Sequence, residues 1–129
     1  MGGGIESTSH KYGLFQYICK AFEMVLADAS VVWTDKDNDP EFFAAIPFSY
    51  GTLGFLTAVD LDIIPYKPYI KLDYVPVYSF EEVVDEFTRV TNDPAVDSVE
   101  GIMYTLDTGV IMNGRFVEGH EVEPEKVQT

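Results

Sequence analysis

Basic residues are scarce in this chain. Eight lysines and arginines stand against 22 aspartates and glutamates, giving a formal charge of −14 over 129 residues. A nucleic-acid binder needs a basic face to displace phosphate counterions, so that class is excluded. Attraction to an anionic membrane surface is excluded on the same ground. The charge itself reads as a solvated acidic surface. Cysteine occurs once, as Cys19, so no internal disulfide forms. Its neighbours are apolar, and a buried free thiol is expected there rather than a nucleophile. No run of about eighteen apolar residues exists to span a membrane. The opening Met1-Gly2-Gly3-Gly4 has neither the basic start nor the apolar stretch of a signal peptide, and Glu6 breaks the myristoylation pattern.

What is present suffices for a core. The hydrophobic fraction is 47% and the aromatic fraction 14%, in a length that fits one domain or a piece of one. Residues 1–13 combine glycines with Ser7, Thr8 and Ser9, then His10 and Lys11, then Gly13. Backbone N–H groups and hydroxyls bond phosphate and ribose oxygens, glycine avoids collision, and His10 or Lys11 adds positive potential. The spacing is that of neither a P-loop nor G-x-G-x-x-G, so a leader followed by a surface loop stays open as the other reading.

Leu14 to Thr34 reads as two strands joined by a turn at Asp28-Ala29. Asp35, Asp37 and Asp39 lack the glycine and closing glutamate of a calcium loop, leaving a solvated loop. Asp39-Pro40 begins a short helix, Glu41 to Ile46. Gly51 and Gly54 then bracket a tight turn that feeds a strand. Val59, Leu61 and Ile63 are expected on one side of that strand, which Pro65 closes. A further strand, Tyr69 to Val75, is expected to stop at Pro76. Ser79 and Glu82 form a capping box for a helix whose apolar stripe is Phe80, Val83, Val84, Phe87 and Val90. Val99 to Leu106 and Val110 to Val117 make a hairpin with Gly109 as its positive-φ turn residue, and the acidic tail from Glu118 is expected to fray. The composition shift near Pro65–Pro68 suggests two pieces, 1–66 and 67–129.

Three stretches stand in a telling order: GIESTSHKYGLF (Gly4–Phe15), EMVLAD (Glu23–Asp28) and FFAAIPFSYGTLGFL (Phe42–Leu56). Together they resemble the Δ24-sterol reductase family, flavoproteins with a PCMH-type (vanillyl-alcohol-oxidase-like) FAD-binding domain. The glycine loop, the V-L-A-D-G strand and the G-T-L-G turn mark the superfamily, whereas E-S-x-S-H-K-Y-G is the narrower spelling of the sterol reductases. The resemblance runs from Gly2 to about Val117.

It implies an α+β fold: residues 1–66 as the second lobe of the FAD-binding domain, and 67–129 as the incomplete start of the substrate-side domain. Gly3, Gly4, Ile5, Glu6, Ser7, Thr8, Ser9, His10, Lys11, Tyr12, Gly13, Leu14 and Phe15 would form the FAD-binding segment. Gly51, Thr52 and Gly54 would back the same cofactor. The implied reaction reduces the side-chain double bond of sterols such as desmosterol, with hydride from NADPH through FAD, at the endoplasmic reticulum membrane. The first FAD lobe, with the main pyrophosphate loop, and the hydrophobic anchor would lie outside these residues, so the chain alone is expected to be soluble and incomplete. No metal is implied, and no proton donor is identified. His10 and Tyr12 are chemically able, and His10 reads first as positioning the loop or a phosphate. Two departures from the family stand out: Ala29 replaces the glycine of the Asp-Gly turn, and Phe48 a tryptophan. A non-catalytic remnant acting as a binding or scaffold subunit is the alternative.

Overall fold

The computed structural model describes residues 4–128. The chain forms two compact units that divide between Ile64 and Pro65, each with its own antiparallel three-stranded sheet. The fold is α+β, as expected.

The first unit begins with a single helical turn, α1 (Ser9–Tyr12), and a 3-10 turn, Phe15–Ile18. The sheet follows in the order β2-β1-β3, from β1 (Cys19–Val25), β2 (Val31–Asp35) and β3 (Phe55–Leu61). The expected first strand therefore starts five residues late, because Phe15–Ile18 coils before pairing begins at Cys19. The short helix α2 (Pro40–Ala45) is capped by Asp39, whose carboxylate accepts from the Phe42 N–H. Its apolar residues Phe42, Phe43 and Ile46 pack on a core of Phe22, Met24 and Cys19. Phe22 is fully buried, with its ring centroid 5.1 Å from that of Phe43.

Two bulges alter the expected faces. Glu23 opposes Ala58 but Met24 opposes Leu56, so Thr57 is an extra residue in β3. Side-chain alternation switches phase there, and Leu56, Val59 and Leu61 all reach the core. Ile63 was expected to join them, yet it is 91% exposed. The reason is that β1 starts at Cys19: the last bond runs from the Asp62 N–H to the Ile18 carbonyl, and beyond it the chain has no strand to pair with.

The β1–β2 hairpin closes through Leu26 and Ser30, with the Ala29 N–H donating to the Leu26 carbonyl. Ala29 sits at φ 65°, the αL position that favours glycine in a three-residue hairpin loop. The Asp28 carboxylate, which accepts from both the N–H and the hydroxyl of Ser30, holds the loop in this form. Those bonds lower the Asp28 pKa, the hydroxyl contributing most. Substituting Ala29→Gly is expected to stabilise the chain by about 1 kcal/mol. That corresponds to a rise of roughly 4 °C or more in the Tm of a unit this size. An unchanged or lower Tm in a thermal melt would contradict the strained turn.

The second unit holds β4 (Tyr69–Val77), α3 (Phe80–Thr91), β5 (Ser98–Met103) and β6 (Gly109–Val117), with sheet order β4-β6-β5. β4 does not stop at Pro76; the ladder continues through Pro76↔Val110 to Val77↔Gly109. An edge strand tolerates proline because one row of its N–H groups has no partner to lose. Ser79 caps α3 by accepting from the Glu82 N–H, while the Glu82 carboxylate reaches back to the Tyr78 N–H. Only Val83, Phe87 and Val90 of the expected stripe pack on the core with Val77, Val96 and Ile111; Phe80 and Val84 are exposed. Gly109 is not among the positive-φ glycines. The turn spans Tyr104–Thr108 instead, and Gly109 is demanded by space, since a Cβ there would lie 2.6 Å from the Ile102 carbonyl. The tail, expected to fray, carries 3-10 turns at Gly119–Glu121 and Pro124–Lys126, the first held by a reciprocal Glu118–Glu121 capping box.

Candidate functional site

The segment from Gly4 to Phe15 is a closed loop rather than an open one. The Phe15 N–H donates to the Gly4 carbonyl at 2.7 Å, tying its two ends together. Inside, the Ser9 hydroxyl accepts from the Glu6 N–H, and α1 turns on bonds from Lys11 and Tyr12 to the Thr8 carbonyl. Gly4 and Gly13 have φ of 69° and 77°. A Cβ on Gly4 would collide with the Gln16 side-chain oxygen, and one on Gly13 would lie 2.6 Å from the Tyr17 ring. These two glycines thus serve the loop's own closure. Thr8 precedes α1 without capping it through its side chain. Lys11 holds its ammonium 5.9 Å from the Tyr12 ring centroid. Gly3, also assigned to this segment, lies outside the described residues.

The second segment is a pair of consecutive turns. In the first, the Ser49 N–H donates to the Ile46 carbonyl across Pro47 and Phe48, with Phe48 at φ 64°. Proline followed by a positive-φ residue is the type II pattern, which prefers glycine at the second place. In the next, the Thr52 N–H donates to the Ser49 carbonyl across Tyr50 at φ 52° and Gly51 at φ 79°, the type I′ pattern that prefers Asn-Gly. The Thr52 hydroxyl reinforces it, donating to Ser49 at 2.7 Å. Each aromatic residue held in the left-handed region costs about 1–2 kcal/mol. Phe48 stands where the family has tryptophan, and either aromatic residue would meet the same strain at φ 64°. Gly54 has φ 152°, and a Cβ on it would lie 2.6 Å from the Val25 carbonyl, whereas a Cβ on Gly51 would meet nothing within 4 Å.

The two segments stand at opposite ends of β1. Phe15–Ile18 leads directly into Cys19, whereas Gly54 precedes Phe55, which pairs with Val25. Seven residues of strand separate those ends, about 20 Å at the usual rise. At the Cys19 end, the hydroxyls of Ser7 and Thr8 with the Lys11 cation suit phosphate or ribose oxygens. At the Val25 end, Gly51 offers open backbone. Cys19 takes no part. Its thiol is buried, donates to the Phe15 carbonyl, and has its pKa raised by burial. Among the described residues no group of histidine, cysteine, aspartate and glutamate is placed to hold a metal ion, and no helix is long and apolar enough to cross a membrane.

No family model matches the chain. Individual relatives do. Delta(24)-sterol reductase of Mus musculus is 47% identical over 129 residues, 100% of this chain and 25% of that protein. The chain is homologous to the Delta(24)-sterol reductases. The human Delta(24)-sterol reductase is likewise 47% identical over the full chain, and the Delta(24)-sterol reductase of Pisum sativum is 40% identical over 95% of it. The chain spans about a quarter of the length of these reductases. Among solved structures, 6-hydroxy-D-nicotine oxidase from Arthrobacter nicotinovorans superposes with a TM-score of 0.62 at 17% identity, covering 93% of this chain and 28% of that one. At that identity the likeness is one of fold.

Proposed function

We propose that this chain forms part of an FAD-dependent oxidoreductase that reduces the Δ24 side-chain double bond of sterols with electrons from NADPH. The observation that carries the reading is the 47% identity to Delta(24)-sterol reductases along the whole chain. In this reading residues 1–66 are the second lobe of a PCMH-type FAD-binding domain, and 67–129 open the substrate-side domain. In the same reading the first lobe is supplied by other residues of the protein or by another polypeptide, and the reaction belongs at the endoplasmic reticulum membrane.

FAD, when bound, supplies the two-electron relay between NADPH and the sterol alkene. This chain's residues hold and orient it. Ser7, Thr8 and Lys11 offer hydroxyls and a positive charge to phosphate and ribose oxygens, with Ile5, Glu6, Ser9, His10, Tyr12, Leu14 and Phe15 completing the segment. Gly51, Thr52 and Gly54 present backbone at the other end of the sheet, and Gly51 leaves the side-chain space empty for a close approach. In the second unit, Ile70, Leu72, Tyr74, Val122 and Val127 help line a cavity of about 830 Å³. Lys71, Asp73, Glu121, Glu123 and Lys126 line it as well, so its lining is mixed and its charge does not by itself select a sterol.

Two experiments test this. In the purified chain, FAD should quench saturably in the micromolar range. The combined Ser7→Ala, Thr8→Ala and Lys11→Ala variant should bind at least about tenfold more weakly, through loss of charge-assisted bonds. No binding up to millimolar FAD would overturn the cofactor site. For the reaction, this chain should replace the matching quarter of the mouse reductase and leave NADPH-dependent desmosterol reduction measurable. A chimera that folds and holds FAD yet reduces no sterol would overturn the assigned activity.

A further inference from the structure

Phe48 and Tyr50 pose a question that neither packing nor turn chemistry answers. Both stand where glycine or asparagine would remove backbone strain, in two turns that share Ser49. Tyr50, 77% exposed, repays little of that strain by burial, and Phe48, 47% exposed, buries only about half of its surface. A local conflict of this kind, left unrepaired in the fold, marks a position held for something other than stability. The next residue, Gly51, leaves open space beside Tyr50 on the backbone.

We propose that Phe48 and Tyr50 are ring-binding residues that stack against a planar heteroaromatic ring of the dinucleotide. The inference rests on the FAD reading above and adds to it a contact for one of the cofactor's flat rings. Stacking suits these side chains because a π face attracts another π face without needing a directed hydrogen bond.

The test uses the full 129-residue chain with Tyr50→Asn, Phe48→Gly and Tyr50→Trp, each measured for Tm and for FAD affinity by flavin fluorescence. Tyr50→Asn and Phe48→Gly relax their turns and are expected to raise the Tm by roughly 4 °C. They should weaken FAD at least about tenfold, the loss of one stacked ring. Tyr50→Trp keeps a π face and should hold affinity within about threefold of the parent. Riboflavin and ADP, titrated separately, identify which ring is stacked: the one whose affinity falls in Tyr50→Asn. A raised Tm with unchanged FAD affinity overturns the proposal and leaves the FAD reading intact. A lowered Tm overturns it too, since the rings would then be structural. Self-association of the parent that vanishes in the variants would assign the rings to a contact between copies of the chain and equally overturn it. A parent chain that binds no FAD removes both readings.

Discussion

Truncating Phe22 to alanine should remove at least about a third of the first unit's stability. The side chain is fully buried, touches α2 through Phe43, and sits at the centre of the only core cluster described in that unit. Removing a buried phenylalanine costs about 3–5 kcal/mol, combining lost transfer energy with an unfilled cavity. A unit of some 64 residues has roughly 3–10 kcal/mol of total stability to lose. Trp33, the sole tryptophan, lies in β2 opposite Glu23, so its emission reports on this unit. The Trp33 transition in urea should move to a markedly lower midpoint in Phe22→Ala, by the equivalent of about 3–5 kcal/mol, whereas Phe22→Leu, which conserves most of the volume, should cost about 1.5 kcal/mol or less. An unshifted Trp33 transition in the alanine variant would mean that α2 does not pack on the sheet as described.

Gly54→Ala comes next in size, and Gly51→Ala is its control. Both positions require positive φ, so both substitutions carry backbone strain of about 1–3 kcal/mol. Only at Gly54 does the new methyl also meet backbone, the Val25 carbonyl at 2.6 Å, at the first rung of the β1–β3 ladder. That carbonyl is fixed by the strand it belongs to and has little room to give. The expected total is about 3 kcal/mol for Gly54→Ala and about half that for Gly51→Ala. The same Trp33 transition measures both. Equal costs at the two sites would show that strand and turn are not in close approach at Gly54.

Much of this could be read from the residues, and the failures have physical causes. The helix caps at Asp39 and Ser79 were legible because each is a local rule, satisfied within four residues. The helix stripe was only partly legible: period 3.6 placed Val83, Phe87 and Val90 correctly, but Phe80 and Val84 lie at its margins, where a three-stranded sheet does not reach. The bulge at Thr57 was hidden, since it depends on which β1 residue opposes it and alternation alone assumes none. Pro76 was misjudged because an edge position is a property of the sheet, not of the sequence around the proline. In the candidate site, the glycine-rich motifs were legible through resemblance. That Gly4 and Gly13 answer to Gln16 and Tyr17, while Gly51 answers to nothing, required coordinates. The departure at Ala29 was legible as an alanine in a glycine position, but that it costs strain depends on its φ of 65°, a property of the folded turn.

The two glycine-bearing segments adjoin opposite ends of β1, and the proposed cofactor, if it reaches both, would make that strand a ruler. Two residues fewer would shorten the gap by about 7 Å. They would also take a core side chain with them, because Cys19, Ala21, Phe22 and Met24 are all buried and every adjacent pair in β1 includes one of them. Under the proposed function, cofactor span and core packing would therefore restrict the length of the same seven residues together.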